Sequence, residues 1–323
     1  MGRGREPASR PEVCTALGSG KAVTDDYLIR NDTGFDRVLA FSVPARHARG
    51  RVVRLGPVLE TVLSAHDYPP VIKHLLAEAL VLTALMGALL KEEGSQLTIQ
   101  AQAEGGPVDL LVCDYRDGEV RGYVRHDDAA LEGLDETPEL EQLFGKGYLA
   151  ITFDLAATND RYQGVVPLEG ESLAQACETY FARSEQIPSL IRVTVRSNGP
   201  RCNAGGMLLQ YLPDSEEGKE RLHAGEDHPD WEHVAVMGGS IQQEELVDPM
   251  LTLEELIWRL FHEEEEVRVE PLAPLQRGCR CTVEHYRDIL SRFPEEERAD
   301  MRDPDGLIPV DCAFCSKVLR IPA

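Results

Sequence analysis

The sequence predicts an α+β protein in three parts, namely an N-terminal domain of mainly antiparallel sheet with packed helices, a helical linker, and a small C-terminal α+β module. Three observations support this division: mixed strand and helix patterns at 25–212, an excess of acidic residues at 213–276, and paired cysteines within 277–323. The chain has 323 residues, of which 42% are hydrophobic, so its apolar surface suffices for more than one domain.

Two periodicities predict the elements of the N-terminal domain. Alternation of apolar and polar residues predicts strands, and Asp117-Gly118 between two such runs predicts a β-hairpin. Ser172 and Gln175 have the spacing of a capping box, which marks the start of a helix. The predicted elements are strands at 51–55 and 97–101, hairpin strands at 110–115 and 119–124, and helices at 71–91 and 173–183.

The N-terminal residues, the most apolar segment and the overall charge indicate the compartment and the excluded partners. The first 24 residues are rich in Gly, Pro and Arg without apolar periodicity, which predicts a disordered tail and no signal peptide, hence a cytoplasmic protein. Lys73, His74 and Glu78 interrupt the most apolar segment, 71–90, which favours a buried helix over a membrane span. The formal net charge of −23 disfavours nucleic acid as a partner.

Most of this negative charge lies in the acidic segment, residues 213–276, which has 18 acidic and 4 basic side chains. Thr252 and Glu255 form a second capping box at the start of a predicted amphipathic helix. Four glutamates at 263–266 follow where the helix dipole disfavours negative charge, so this helix needs a partner surface. Its apolar stripe consists of Leu253, Leu256, Ile257, Leu260 and Phe261.

Residues 277–323 form the C-terminal module. The patterns predict a helix at 283–292, an acidic helix start after Pro294, and a turn at 303–306 that leads into a strand at 307–310. A unit of this size buries too little surface to be stable unaided, so we expect a cross-link within it.

Four of the eight cysteines fall in two short-range pairs, Cys279 with Cys281 and Cys312 with Cys315. Two pairs from separate chain segments suit tetrahedral Zn²⁺, and four thiolates favour zinc over metals that prefer oxygen. Binding one Zn²⁺ would contribute about 10–16 kcal/mol to folding of the module. The remaining cysteines are isolated and are predicted to be small hydrophobic residues: Cys14, Cys113, Cys177 and Cys202.

The spacing of the paired cysteines is compatible with two roles. The commonest role of four cysteines is a structural zinc site. A CxxC pair also closes readily as a disulfide and a CxC pair can close as a strained ring, so oxidation could displace the metal and its contribution to folding. A structural site and a redox switch therefore both remain open from spacing alone.

Five longer motifs occur together with the CxC pair, a combination that is very hard to obtain by chance. They are Tyr-Gln-Gly-Val-Val at 162–166, Tyr-Phe-Ala-Arg-Ser-Glu-Gln-Ile-Pro at 180–188, Ala-Gly-Gly-Met-Leu-Leu-Gln at 204–210, Arg-Leu-Phe-His-Glu-Glu at 259–264, and Asp-Gly-Leu-Ile-Pro-Val-Asp-Cys-Ala-Phe-Cys at 305–315. With these motifs the chain resembles the redox-regulated 33 kDa chaperonin family, also called heat shock protein 33. It departs from the family pattern at Thr282, where a serine is expected, and the sequence ends at Ala323, where the family usually continues into a further helix.

The resemblance implies an ATP-independent chaperone that holds unfolding proteins, and not an enzyme. In that family the reduced, zinc-bound form is inactive, and peroxide or hypochlorous acid with mild unfolding forms two disulfides, by position Cys279–Cys281 and Cys312–Cys315. The linker then becomes disordered, the active form tends to form a homodimer, and the clients are unfolding proteins. We expect the acidic segment to be that linker and its apolar stripe to contact clients.

Other classes of protein fit the residues less well. A thiol oxidoreductase would need its CxxC at a helix N-terminus within a βαβ unit, whereas Cys312 lies between two short predicted strands. Residues 277–323 carry 8 basic and 9 acidic side chains, which does not favour a zinc module that binds nucleic acid. The alternative that remains is a structural four-cysteine zinc protein that acts as a protein-interaction adaptor without redox switching.

Two further patterns are weak. Three histidines spaced five apart share no helical face, which disfavours a second metal site at His223, His228 and His233. Three glycine pairs lack the surroundings of a phosphate-binding loop and are predicted to be tight turns: 105–106, 205–206 and 238–239.

Overall fold

The structure is a computed structural model that describes residues 34–134, 138–198, 201–212 and 228–322. The predicted tail at 1–24 lies outside the described residues, together with Cys14. The first part of the acidic segment, with His223, also lies outside them.

The elements follow the chain in three groups. The N-terminal group is β1 (Arg37–Val43), β2 (Ala48–Leu55), α1 (Pro57–Leu63), α2 (Pro70–Gly87), β3 (Gln96–Gly105), β4 (Val108–Arg116), β5 (Glu119–His126), α3 (Asp128–Leu131), α4 (Leu140–Phe144), β6 (Gly145–Asp154), β7 (Arg161–Pro167), α5 (Leu173–Tyr180), β8 (Ser189–Asn198) and β9 (Arg201–Tyr211). The second group is α6 (Pro229–Gly239), α7 (Gln243–Val247), α8 (Leu253–Phe261), β10 (Arg268–Pro271) and β11 (Gln276–Arg277). The third group is α9 (Val283–Leu290), α10 (Glu295–Asp300), β12 (Leu307–Asp311) and β13 (Val318–Pro322).

Two mainly antiparallel sheets enclose a central helix, which confirms the predicted α+β fold. Sheet A has the strand order β10-β1-β2-β9-β8, and sheet B has the order β11-β5-β4-β3-β6-β7. Helix α2 contacts β2, β8 and β9 of sheet A and β3, β4 and β5 of sheet B. Because both sheets cover it, α2 is buried and apolar over most of its length, whereas His74 in its first turns is exposed.

Helix α2 is long and apolar enough to cross a membrane by length and composition. Within the structure, however, 72% of it is buried against the two sheets. The predicted buried helix is therefore confirmed, although it runs from Pro70 to Gly87 and so ends earlier than the sequence pattern indicated.

The predicted hairpin at Asp117-Gly118 joins β4 to β5. Asp117 has a φ of 51° and Gly118 a φ of 82°, the two left-handed residues that a type I′ turn requires. The predicted helix at 173–183 is α-helical only to Tyr180 and continues as a π-helical turn over Phe181–Glu185. Half of the predicted capping box is present: the Ser172 side chain accepts a hydrogen bond from Gln175 N, whereas the Gln175 side chain accepts from Glu171 N and not from Ser172 N.

The acidic segment is attached to both sheets. Its strand β10 pairs with β1 at one edge of sheet A, and β11 pairs in parallel with β5 at one edge of sheet B. Helices α6, α7 and α8 share a hydrophobic cluster with residues of β1, β2 and β9. Sheet A therefore has α2 on one face and the helices of the acidic segment on the other.

Two of the three glycine pairs are not turns. Gly105 ends β3 with a φ of 89°, as predicted, but 205–206 lie inside β9 and 238–239 end α6. The prediction is wrong there because these glycines serve close packing. A Cβ on Gly206 would lie 2.5 Å from Val81 Cγ1, and one on Gly238 would lie 3.0 Å from Leu209 Cδ2.

Candidate metal centre

The four-cysteine module, residues 278–322, has a very small core of its own. Only Leu290, Ile308 and Ile321 form its buried hydrophobic cluster. Helix α9 starts at Thr282, whose side chain accepts a hydrogen bond from His285 N, so threonine serves here as an N-cap as serine would. The hairpin of β12 and β13 supplies the rest of the module. With so few buried residues, the module depends on a further cross-link.

The four paired cysteines meet at one point. The Sγ atoms of Cys279 and Cys281 are 3.2 Å apart, those of Cys279 and Cys312 are 3.6 Å apart, and those of Cys281 and Cys315 are 3.5 Å apart. All four sulfurs lie within 4.8 Å of one another. A tetrahedral Zn²⁺ with Zn–S bonds of about 2.3 Å would place its sulfurs about 3.8 Å apart. The four residues can therefore hold one metal ion, and their chemistry suits zinc.

The backbone around Cys312 forms a tight turn that places the second cysteine pair. Cys312 N donates to Lys317 O at 3.1 Å, and Ser316 N donates to Cys312 O at 2.8 Å. Ser316 has a φ of 53°, the left-handed conformation that closes the turn. The first pair follows directly after β11, so each pair is held by the end of a strand.

The thiols differ in how readily they ionise. Burial acts to raise the pKa of Cys312, but hydrogen bonds from the Phe314 backbone, the Tyr286 hydroxyl and neighbouring thiols lower it to about 7. Burial raises the pKa of Cys279 and of Cys281. Cys312 therefore supplies a thiolate more readily than Cys279 or Cys281, and a bound cation would favour the ionised form of all four thiols.

Three of the four isolated cysteines lie among the described residues, and these three are in the core, as predicted. Cys113 and Cys177 are fully buried and Cys202 is 8% exposed, all within the main hydrophobic cluster. Burial raises the pKa of each of these thiols, which disfavours metal binding and oxidation there. Among the described residues, the four paired cysteines are the only cluster suited to a metal.

The module packs on the outer face of sheet B through Phe314, which lies between Cys312 and Cys315. The Phe314 ring meets Tyr123 edge to face at 5.0 Å between centroids. The Arg121 guanidinium lies 3.9 Å from the centre of the Phe314 ring and is itself paired with Asp114 at 2.6 Å. This is a cation–π contact between the metal-binding turn and strand β5.

The first cysteine pair also contacts sheet B. Arg280, between Cys279 and Cys281, donates a hydrogen bond to the Gln96 side chain on β3. Gly278 N donates to Val120 O at 3.0 Å, which continues the pairing of β11 with β5. Sequence patterns did not predict these contacts, because nothing in the spacing of the cysteines tells which sheet the module meets.

The predicted apolar stripe of α8 lies against sheet A, which confirms that this helix has a partner surface. The capping box of Thr252 and Glu255 is present. The rings of Phe41 and Phe261 are 5.6 Å apart between centroids. Every residue of the stripe is at most 6% exposed: Leu253, Leu256, Ile257, Leu260 and Phe261.

Helix α8 ends at Phe261, just before the four glutamates. One of them, Glu264, has a side chain that is only 6% exposed. It accepts a hydrogen bond from Arg46 Nε at 3.1 Å and lies 2.6 Å from His233 Nε2. Arg46 is also paired with Asp230 of α6 at 2.9 Å. The repulsion expected from four adjacent charges is therefore offset at Glu264, which joins the acidic segment to the turn after β1.

Two of the three histidines, His228 and His233, lie in the described part of the acidic segment. His228 caps α6 by accepting from Asp230 N, and His233 contacts Glu264. Each histidine thus has its own structural partner, and neither belongs to a metal-suited cluster among the described residues.

Comparison with known proteins adds the family. The family model described as Hsp33 protein matches residues 36–322. The chain belongs to the Hsp33 family. Membership in the Hsp33 family supports a chaperone function and points away from catalysis.

Individual Hsp33 relatives agree with the family match. A 33 kDa chaperonin of Caulobacter vibrioides is 40% identical over 303 residues, covering 91% of this chain and 97% of that protein. The 33 kDa chaperonin of Shigella boydii is 37% identical over 269 residues, covering 83% and 85%. The 33 kDa chaperonin of Thermotoga maritima is 23% identical in sequence to this chain. Its crystal structure matches with a TM-score of 0.73, covering 89% of this chain and 95% of that chain, and so shows the same fold.

Proposed function

We propose that this protein is a redox-regulated, ATP-independent chaperone that is inactive when reduced and zinc-bound and active when oxidised. One observation carries the proposal. The four thiols of the small module, which could hold one metal ion, lie directly after a segment whose apolar side chains are buried against sheet A. A change at the thiols can therefore alter the exposure of a large apolar surface.

The reduced form is held by Cys279, Cys281, Cys312 and Cys315 as thiolates. Bound Zn²⁺ would supply the folding energy that the three-residue core of the module lacks. With the metal in place, Phe314 and Arg280 keep the module on sheet B.

Oxidation would join the two sulfurs of each sequence pair. In each pair two thiolates lose two electrons and form one S–S bond. One H₂O₂ accepts these electrons with two protons and becomes two H₂O; hypochlorous acid would accept them with one proton and become chloride and H₂O. The disulfides Cys279–Cys281 and Cys312–Cys315 no longer bind zinc, so the metal leaves and the module loses its main source of stability.

Loss of the module would weaken the acidic segment at its C-terminal end, where β11 pairs with β5 next to Cys279. Separation of α6, α7 and α8 from sheet A would then uncover two apolar surfaces. One is the stripe of α8, and the other is the facing surface of sheet A, formed by Leu39, Phe41, Val43, Val52, Met207, Leu209 and Tyr211. Unfolding client proteins expose apolar segments that such surfaces bind.

The remaining properties follow from the same proposal. Two active chains with uncovered apolar surfaces would associate, which supports a homodimer of the oxidised form. The net charge of −23 does not favour nucleic acid as a partner, and metal-binding thiols suit a reducing compartment such as the cytoplasm.

Light scattering of thermally unfolding citrate synthase tests the proposal. The reduced, zinc-loaded protein should leave aggregation unchanged, and the peroxide-treated protein should suppress it while a chromogenic chelator detects one released zinc per chain. Cys202→Ala is the control, because this thiol lies outside the metal centre and the variant should keep both responses. If zinc leaves and aggregation continues, the protein is instead a structural zinc adaptor.

A further inference from the structure

A buried arginine of the N-terminal domain holds the middle of the acidic segment. Arg54 on β2 is fully buried. Its Nε donates to Leu246 O at 2.9 Å, and its two terminal nitrogens donate to Leu251 O at 2.8 Å and Glu245 O at 3.1 Å. Two of these carbonyls belong to the last turn of α7, and the third lies just before Thr252, which begins α8. One guanidinium thus joins the end of α7 to the start of α8.

A glycine beside Arg54 allows this contact. Gly205 on β9 is the register partner of Arg54 on β2, so the two residues lie side by side on one face of sheet A. A Cβ on Gly205 would lie 2.3 Å from Leu246 O, far inside van der Waals contact. Only a residue without a side chain lets the Leu246 carbonyl reach the Arg54 guanidinium.

The next residue serves the opposite face. A Cβ on Gly206 would lie 2.5 Å from Val81 Cγ1, a side chain of α2. The two adjacent glycines therefore allow close packing on opposite faces of β9. Gly205 lets the acidic segment approach one face, and Gly206 lets helix α2 approach the other.

We propose that Arg54 and Gly205 form a seat for Leu246 that keeps the acidic segment docked and so sets how readily the chaperone is activated. This inference rests on the proposed function for its effect on activity. The three hydrogen bonds of Arg54 to the acidic segment run to α7 and to the turn before α8, so the seat restrains the segment at a point separate from the thiols. When the segment undocks, the three hydrogen bonds between the carbonyls and the Arg54 guanidinium are lost and are replaced by hydrogen bonds to water. Because hydrogen bonds to a charged group stabilise the docked state, their loss opposes undocking of the reduced protein.

Hydrogen exchange of the full-length, reduced and zinc-loaded protein tests the seat directly. Gly205→Ala and Arg54→Met should speed amide exchange over residues 243–261 by about tenfold or more, since several hydrogen bonds to a charged group are lost. Arg54→Lys keeps the charge and some donors, so its rates should fall between those of wild type and Arg54→Met. Zinc content should stay at one per chain in all three variants.

Gly206→Ala is the matched control. It adds the same methyl group at the adjacent position, but against α2, so it should lower the thermal midpoint without selectively speeding exchange over 243–261. The inference is overturned if Gly205→Ala exchanges at the wild-type rate there, or if Gly206→Ala has the same selective effect. If Gly205→Ala does not fold, the exchange rates over 243–261 of wild type, Arg54→Lys and Arg54→Met test the inference. Rates that rise in that order support it, and equal rates overturn it.

Activity provides the second readout. Gly205→Ala and Arg54→Met should suppress citrate synthase aggregation at lower peroxide concentrations than wild type. Oxidised wild-type protein is measured in parallel. If oxidised wild-type protein fails to suppress aggregation, the proposed function is wrong, while the hydrogen-exchange data still test whether the seat holds the segment. If oxidised wild-type protein suppresses aggregation but the variants need as much peroxide as wild type, the regulatory role of the seat is wrong.

Discussion

Replacing Phe261 with alanine should undock the acidic segment without touching the metal centre. Phe261 is the last residue of α8, is fully buried, and packs its ring 5.6 Å from that of Phe41. The neighbouring Trp258 lies on the same helix but is 59% exposed. Trp258→Ala is therefore the matched control, a large aromatic removed from the solvent side of one helix.

Truncating a buried phenylalanine to alanine costs about 3–5 kcal/mol. Because α8 and sheet A meet at this ring pair, most of that cost should fall on the docked state of the segment. A loss of about 3 kcal/mol corresponds to a rise of more than a hundredfold in the undocked population. Trp258→Ala should change that population little, since surface substitutions are usually within about 0.5 kcal/mol.

Limited proteolysis of the reduced, zinc-loaded variants measures the difference. Phe261→Ala should be cleaved within the acidic segment far faster than wild type, with zinc still bound, and should suppress client aggregation before any oxidant is added. Trp258→Ala should resemble wild type. Equal cleavage rates for the two variants would show that burial of the α8 stripe does not hold the segment, and the reasoning would fail.

Three further perturbations probe other contacts. Glu264→Gln should increase proteolysis of the acidic segment, because Arg46 and His233 lose their shared carboxylate, whereas Glu265→Gln, at an exposed neighbour, should not. Phe314→Ala should leave one zinc per chain but speed its release by peroxide, since the cation–π contact with β5 is lost; unchanged release kinetics would contradict this. Burial raises the pKa of Glu78 to about 7, from 4.5, although backbone N–H groups of α5 lower it. The folded state thus holds a proton that the unfolded state releases, so this carboxyl's contribution is complete below pH about 4.5 and is lost as pH rises to about 7, a change of about 3 kcal/mol. Glu78→Gln should abolish that loss, and the difference in unfolding free energy between the two proteins at pH 5 and pH 8 checks it.

Several local features could be predicted because short-range chemistry decides them. The Asp117-Gly118 turn needs two left-handed residues, and the N-cap at Ser172 and the capping box at Thr252 satisfy free backbone groups within one turn. The α8 stripe was visible from its 3.6-residue period. The pairing of the four cysteines at one point was visible from their spacing alone.

Other features depend on chain segments that lie far apart in sequence. Glycines at 205–206 looked like a turn, because no local signal shows that α7 and α2 approach the two faces of β9. Glu264 looked like one of four repelling charges, because Arg46 lies more than two hundred positions earlier. The end of α5 was placed too late because its π-helical turn is not marked by a breaking residue.

The sequence by itself determined the α+β class, the separation of the four-thiol cluster from the core thiols Cys113, Cys177 and Cys202, and the need of α8 for a partner. These properties follow from periodicity, spacing and burial preference, which act over a few residues. Only the tertiary structure decided that sheet A is this partner, that Arg54 and Gly205 receive Leu246, and that Phe314 sets the metal-binding turn on sheet B. Such contacts join residues up to about two hundred positions apart, and only the packed chain brings them together.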